Sequence, residues 1–97
     1  MYNYVMLIGK IKNYEKITED EYVLRLACRR PFKGVFGEYK TDVFNICVPG
    51  VLGSILKDRG NNVDETITVK GRLVPMIGGD TSRIIAERII YMDGEQS

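Results

Sequence analysis

Apolar and polar side chains alternate along most of the chain, and this two-residue period predicts β-strands. The clearest case starts at Tyr22, where Leu24 and Leu26 share one face while Arg25 lies on the other. A strand of this kind has one side in the core and one side facing solvent. Glycine, proline and short polar runs separate the alternating segments. The five predicted strands cover residues 4–11, 22–31, 41–48, 65–77 and 82–92.

One helix is predicted over residues 51–59, between the third and fourth strands. Leu52, Ile55 and Leu56 fall at helical spacing, and Gly60 is placed to terminate the helix. The segment is short, so we expect it to pack against the sheet on one apolar side only.

Turns and glycines suggest how the strands connect. The polar residues 18–21 predict a turn between the first two strands, and residues 78–80 predict a short hairpin loop before the fifth. Gly9 and Gly71 each lie in mid-strand, which is typical of a bulge or sharp bend in a small barrel. Five strands with one short helix between strands 3 and 4 is the element order of the OB-fold, a five-stranded Greek-key barrel of the all-β class.

Size and composition limit the functions that the chain can have. Its 97 residues predict a single domain over residues 1–97, with residues 93–97 as a short stub. The 14 basic and 13 acidic residues leave a net charge of +1, so any affinity for polyanions depends on local clustering. No apolar run is long enough for a membrane span, and the amino-terminal residues lack signal-peptide features, which predicts an intracellular, cytoplasmic protein without a membrane partner.

The sequence predicts no enzyme, cofactor or metal site. It contains no histidine, and Cys28 and Cys47 are interpreted as small packing residues. No glycine-rich phosphate loop precedes the helix, and the acidic side chains are scattered over different elements. A small nuclease that uses carboxylates alone remains an alternative at this stage.

The end of the second strand has a composition typical of nucleic-acid binding. Arg29, Arg30 and Lys33 bracket Phe32, and Pro31 is predicted to take the strand out of the sheet. Cations neutralise phosphates while an aromatic ring stacks on a base, which favours single-stranded nucleic acid as the ligand. The alternative is an ordinary strand end with solvated arginines and Phe32 tucked under a loop.

Five segments of the sequence, in order and spacing, resemble the bacterial single-stranded DNA-binding protein family. Together they extend over nearly the whole chain, although each alone is a weak motif. They are NYVMLIGKI at residues 3–11, LACRRPFK at 26–33, GEYKTDVFNI at 37–46, VKGRL at 69–73 and AERI at 86–89.

This resemblance implies a homo-oligomer, a dimer or tetramer, that coats single-stranded DNA without strong sequence preference. Phe32 matches a family position that usually carries a base-stacking aromatic. Val43 and Pro49 stand where the family often has further aromatics, and the loop over residues 75–82 lacks one as well. The family's acidic tail, which recruits replication and repair enzymes, has no counterpart in residues 94–97. We therefore expect weaker binding, or a shorter site, than in a typical member.

Two surfaces are predicted from these observations. Phe36 and Tyr39 are candidate substitute stacking platforms, with loop packing as the alternative for Phe36 and a cross-strand contact for Tyr39. The apolar outer face of residues 4–8, at a chain end where an edge strand would otherwise be exposed, predicts a homo-oligomer interface. The predicted DNA-binding residues are Phe32, Arg30, Lys33, Arg29, Phe36, Tyr39, Lys10, Lys12, Lys70 and Arg72. The predicted interface residues are Tyr4, Val5, Met6 and Ile8.

Two functions from different classes follow. The first is sequence-nonspecific binding of single-stranded DNA in replication, recombination or repair, by stacking and phosphate neutralisation. The second is a protein-interaction module that resembles primosomal replication protein N, with replication proteins as its partners. The missing aromatics favour the second function, and the intact segment over residues 30–33 favours the first.

Overall fold

The computed structural model describes residues 3–59, 63–75 and 82–91. Five strands form a closed barrel in the order β1-β2-β3-β5-β4, with one helix between the third and fourth strands. This confirms the predicted five-stranded OB-fold. The elements are β1 (Val5–Thr18), β2 (Glu21–Lys33), β3 (Tyr39–Pro49), α1 (Gly50–Asp58), β4 (Thr66–Pro75) and β5 (Ser82–Tyr91).

The barrel closes through four antiparallel ladders and one short parallel contact. β1 pairs with β2 on one side and with β4 on the other, while β2 pairs with β3 and β4 with β5. β3 meets β5 in parallel at Ile46 with Ile84 and Cys47 with Ile85. The outer faces of β1, β2 and β3 therefore form one continuous curved surface.

Alternation along the strands places the core inside the barrel. Leu24 and Leu26 of β2 are fully buried, and Ile46 and Val48 of β3 join them from the next strand. Burying one such aliphatic side chain contributes about 1.5–3 kcal/mol. The fully buried side chains are Ile11, Leu24, Leu26, Ile46, Val48, Leu56, Ile67 and Val69.

The helix α1 packs on β2 and β3. It begins one position earlier than predicted, and the predicted terminator Gly60 lies outside the described residues. Leu56 is fully buried, Leu52 is half-buried and Ile55 remains about half exposed. Gly53 lies directly on the ring of Tyr22, where a Cβ atom would collide with the ring carbons.

Strand lengths differ from the prediction in two places. β1 continues well past Ile11 to Thr18, and the predicted turn then falls at Glu19 and Asp20. Pro31 does not end β2, which runs on to Lys33 and pairs there with Tyr39. The β2–β3 ladder is interrupted between Arg29 and Lys33, so no ladder hydrogen bond has to come from the proline nitrogen.

Neither of the two mid-strand glycines is the extra residue of a bulge, and both lie where two strands approach closely. The register shift beside Gly71 places the extra residue, Glu87, on β5, so the bulge is not in β4, and a Cβ atom at Gly71 would collide with the carbonyl oxygen of Ile85. In β1 the shift falls between Ile11 and Asn13, so the bulge is not at Gly9. Gly9 is instead a point of close approach, because a Cβ atom there would collide with the carbonyl oxygen of Ala27. The predicted loop over residues 78–80 and the stub over 93–97 lie outside the described residues.

Within the described ranges, α1 is the one helix, and it is neither long nor apolar enough to cross a membrane.

Candidate nucleic-acid interface

The ends of β2 and β3 project beyond the barrel as a hairpin, which we call the finger (residues 29–41). Its turn is held by two backbone hydrogen bonds: Gly37 N–H donates to the Gly34 carbonyl at 3.0 Å, and Gly34 N–H donates to the Glu38 carbonyl at 2.6 Å. Gly37 has φ of 84°, a conformation that glycine adopts without strain. Val35 and Phe36 at the tip are 94% and 92% exposed, so Phe36 is not a packing anchor of the loop.

A large bulge separates Phe32 from the regular ladder. Arg29 pairs with Thr41 and Lys33 with Tyr39, so four steps along β2 are matched by two along β3. Three residues of β2, including Pro31 and Phe32, thus lie opposite the single residue Lys40 of β3, which makes two extra residues on the β2 side. The ring of Phe32 is 66% exposed, which rules out the alternative that it is tucked into the protein.

Tyr39 holds two of the predicted cations at the finger. The Arg29 guanidinium lies 4.6 Å from the Tyr39 ring centroid, and the Lys33 ammonium lies 5.8 Å from it. Such cation–π contacts contribute about 0.5–1 kcal/mol at exposed sites. The cross-strand contact predicted as the alternative for Tyr39 is therefore present, and no carboxylate of the described residues pairs with either cation.

Arg30 and Arg72 are placed differently from these cations. Arg30 donates two hydrogen bonds to the Asp42 carboxylate, at 2.9 and 3.0 Å, and Arg72 donates one to Glu87 at 2.9 Å. Hydrogen bonding to Arg30 lowers the pKa of Asp42, and the same bond raises the pKa of Arg30. Both predicted DNA-binding arginines are thus compensated by a carboxylate in the structure.

A groove of about 670 Å³ lies on the outer surface between β1 and the base of the finger. Lys10, Lys12 and Arg29 line it, and Asp64 contributes one opposing charge. Gly9 and Ala27 also line this groove, where β1 and β2 approach closely. The structure thereby brings Lys10, Lys12, Arg29, Lys33 and Tyr39 to one side of the molecule, together with the exposed rings of Phe32 and Phe36.

Lys70 is not part of this group. It pairs across β1 with Met6 and across β5 with Arg88, so it lies on the β1–β4–β5 wall of the barrel. Arg72 lies two residues further along the same strand. The structure therefore separates these two predicted DNA ligands from the cations around the groove.

The predicted oligomer surface also lies on this wall. Tyr4, Met6 and Ile8 are each more than half exposed and lie on the outer side of β1. The prediction that Val5 belongs to this outer face is corrected: Val5 pairs with Gly71 and lies on the inner side of β1 with Leu7. The edge is open on one side only, since residues 5–9 pair with β4 and the described ladder with β2 starts at Lys10.

Three polar side chains, which the sequence analysis did not predict as a group, form a row across β1, β2 and β3. We call this row of Asn13, Arg25 and Asn45 the polar row. Asn13 is opposite Arg25 in the β1–β2 ladder, and Arg25 is opposite Asn45 in the β2–β3 ladder. Counting residues outward from the turn at 18–21 puts Asn13 opposite Leu26, and only the register shift between Lys16 and Thr18 brings Asn13 opposite Arg25. The sequence therefore carried no direct signal for the row.

The two cysteines agree with their interpretation as packing residues. Both are reduced and half-buried, and burial raises the pKa of each thiol. A thiol with a raised pKa is a poor nucleophile at neutral pH. In the parts of the chain that the structure describes, no three His, Cys, Asp or Glu side chains are grouped closely enough to hold a metal ion.

No protein-family model and no curated protein sequence matches the chain. Similar solved structures do exist. A small single-stranded DNA-binding protein from Mycoplasma pneumoniae shares 21% identity with a TM-score of 0.67, over 93% of this chain and 86% of that one. A small single-stranded DNA-binding protein from Streptomyces coelicolor shares 14% identity with a TM-score of 0.63, over 98% and 97%.

A third similar structure is that of a Plasmodium falciparum single-stranded DNA-binding protein in complex with single-stranded DNA. It shares 21% identity with a TM-score of 0.67, over 96% of each chain. At these identities the likeness establishes the fold: the chain has the OB-fold barrel that single-stranded DNA-binding proteins have.

Proposed function

We propose that this protein binds single-stranded DNA by stacking bases on the rings of the finger and neutralising phosphates in the groove. The observation that carries the proposal is the contact of Arg29 and Lys33 with Tyr39, beside the exposed ring of Phe32. Uncompensated cations and exposed aromatic rings on one surface match a ligand that offers phosphates and base faces together. The similar Plasmodium falciparum structure, in complex with single-stranded DNA, supports the same ligand.

Single strands fit this surface better than duplex. The rings of Phe32 and Phe36 stand out from the finger, and a stacking platform needs a base whose face is uncovered. Bases in a duplex are stacked on one another, so the rings would have no partner there. Stacking tolerates any base, and we expect little sequence preference along most of the bound strand. Replication, recombination and repair in the cytoplasm expose such strands.

The expected affinity is modest for a protein of this fold. Val43 lies on the exposed outer face of β3, at a position where an aromatic side chain would be able to stack on a base. Each stacked base contributes about 1–3 kcal/mol, so a missing platform lowers affinity by up to that amount. Phe36 and Tyr39 compensate in part, because both are on the finger beside the bound strand.

The direct test is titration of a fluorescent polythymidine at low and high salt, followed by anisotropy. Binding that weakens steeply with salt, and that exceeds binding to duplex of equal length, supports the proposal. The variant Lys12→Ala should reduce the salt dependence, and Lys57→Ala, on α1, is the matched control that should not. Salt-independent binding, or a preference for duplex, would show that the surface has been assigned wrongly.

We further propose that the chain forms a homodimer through the outer side of β1. Tyr4, Met6 and Ile8 form an exposed apolar row beside the open edge of residues 5–9. An apolar row and an open edge together suit pairing with a second copy of the same strand. Light scattering at micromolar concentration should give at least a dimer mass, and Ile8→Glu should give a monomer. A monomeric mass for the unaltered chain would overturn this assembly.

One observation favours the second function, a protein-interaction module. Val35 and Phe36 form an apolar tip that is almost fully exposed, and an apolar tip suits a pocket on a replication protein as well as a base. The polythymidine titration separates the functions. If binding is absent at low salt while the dimer is intact, the protein-interaction module becomes the better assignment.

A further inference from the structure

The polar row of Asn13, Arg25 and Asn45 crosses the middle of the outer β1–β2–β3 surface. Its members are directly opposite one another in two consecutive ladders, so their side chains project from the same face. Arg25 donates a hydrogen bond from Nη1 to the Asn13 Oδ1 oxygen at 2.8 Å. This hydrogen bond holds the guanidinium on the Asn13 side of the polar row.

Arg25 differs from three other arginines of the barrel in the kind of partner that it has. Arg30, Arg72 and Arg83 each pair with a carboxylate. Among the described residues, the partner of Arg25 is a neutral amide oxygen, which orients the side chain without cancelling its charge. A guanidinium has five N–H donors, so most of them are left for a ligand.

Apolar side chains flank the polar row on the same face. Ala27 is opposite Val43 on the side towards the finger, and Val23 is opposite Cys47 on the other side. Val43 is more than half exposed, and the other three are half-buried. A planar base that rests on Val43 and Ala27 has its edge directed at Arg25 and Asn45. The surface thus offers a flat apolar support beside a row of oriented donors.

We propose that the polar row reads the edge of one base in the bound strand and favours guanine there over adenine and thymine. This rests on the proposed function, since it concerns one position within the same bound strand. Guanine presents two adjacent acceptors, O6 and N7, and arginine fills both with two parallel donors. Adenine presents a donor beside N7, and the two carbonyl acceptors of thymine are separated by its N3–H donor, so neither base takes both bonds from Arg25. Cytosine offers two adjacent acceptors, O2 and N3, only on its Watson–Crick edge, and it has no N7.

The row limits this preference to a single position. Next to it on the finger side lie apolar residues and rings, which discriminate little between bases. A strand with spaced guanines should therefore bind more tightly than pure thymidine, while guanine content beyond one per site should add nothing. The expected preference is about fivefold or more, the lower limit for one good bidentate contact.

Competition titrations test the proposal with unaltered protein. The competitors are thymidine oligomers of about 16 nucleotides, the upper end of the usual site size, with and without spaced guanines. A third oligomer carries 7-deazaguanine, which lacks the N7 acceptor but keeps the ring. The guanine oligomer should compete about fivefold better than pure thymidine, and the 7-deazaguanine oligomer should compete no better than pure thymidine.

Variants then assign the preference to Arg25. Arg25→Lys keeps the charge but loses the paired donors, so it should abolish the preference while leaving polythymidine binding within about twofold. Arg72→Lys, on the β1–β4–β5 wall, is the matched control and should retain the preference. Melting curves check that both variants fold.

The possible failures are distinguishable. If pure thymidine, guanine and 7-deazaguanine oligomers bind equally, the inference about the polar row is overturned and the proposed function stands. If guanine is preferred but Arg25→Lys keeps that preference, the row is not the reader. If no oligomer binds, the proposed function itself fails.

Discussion

The two halves of the β2–β3 hairpin are built from the same strands but have different roles. In the half nearest the turn at residues 18–21, Leu24 and Leu26 are fully buried and pair with Ile46 and half-buried Phe44. In the finger, both sides of the hairpin are exposed, and the ladder is interrupted by the bulge that carries Phe32. The barrel half supplies stability, and the finger is available for a ligand at little cost to the fold.

This division has a consequence for mutagenesis. Substitutions in the barrel half should change the free energy of unfolding, whereas substitutions in the finger should change DNA affinity. Removal of an exposed ring loses little buried apolar area, because the ring is already in contact with water in the folded protein. The following four predictions test that separation, starting with the largest expected effect.

Leu26→Ala should lower the free energy of unfolding by about 2–5 kcal/mol, since it removes buried methyl groups and leaves a cavity. In a domain of this size, that corresponds to a fall in melting temperature of roughly 8 °C or more. Val43→Ala is the matched control: it is one strand away on the exposed face, and its melting temperature should change little. Equal effects of the two substitutions would contradict the assignment of inner and outer faces.

Phe32→Ala should weaken binding to polythymidine by about 1–3 kcal/mol, a factor of roughly 5 to 150, because one base loses its platform. The melting temperature and the oligomeric mass should not change, since the ring is mostly exposed. Anisotropy titration and thermal melting of the same variant measure both quantities. Unchanged affinity with an unchanged melt would remove Phe32 from the site and favour the protein-interaction module.

Lys33→Ala should reduce the salt dependence of single-strand binding by about 0.7 in log–log slope, the value expected for one lost phosphate contact. The double variant Arg30→Gln with Asp42→Asn should leave the slope nearly unchanged, because the two charges already compensate each other. Titrations over a series of salt concentrations give both slopes. A loss in the double variant as large as that of Lys33→Ala would mean that Arg30 contacts DNA despite Asp42.

The smallest effect concerns acid stability. The hydrogen bond from Arg30 holds the pKa of Asp42 below its usual value, so the folded state favours the ionised carboxylate. The resulting stabilisation is present above the unfolded pKa, about 3.9, and is lost as pH falls through the lowered folded value. Asp42→Asn should therefore melt slightly below the unaltered chain at neutral pH and level with it at strongly acidic pH. A difference that persists in acid would assign the effect to packing instead.

Much of the fold follows from local patterns in the sequence. Alternation placed Leu24, Leu26 and Ile46 on the core side, and helical spacing located the short helix, since burial of one face dictates both periods. The route of β2 through Pro31 was missed, because a proline usually ends a ladder and the bulge that accommodates it depends on the partner strand. Features that depend on one strand could therefore be predicted from the sequence, whereas features that depend on the pairing of two strands were harder to predict.

The candidate site shows the same limit. Phe32 and Tyr39 were found by residue type alone, because an aromatic ring among cations is a local signal. The compensation of Arg30 by Asp42 depends on the register between β2 and β3. Extending the Lys33–Tyr39 pairing away from the hairpin turn would place Arg30 opposite Asp42. The alternating side of β1 likewise decides that Val5 does not share the outer row of Met6 and Ile8.

The ladder between β1 and β4 joins segments that are far apart in the sequence, with Val5 opposite Gly71. Closing so long a loop costs conformational entropy before the contacts between the two strands form, so this step is slow. Small barrels rich in such pairings fold in milliseconds to seconds. During synthesis, β1 leaves the ribosome long before β4 exists. Throughout that interval the apolar side chains of residues 4–8 are presented on an unpaired strand, so the nascent chain is most prone to aggregation before its fourth strand is made.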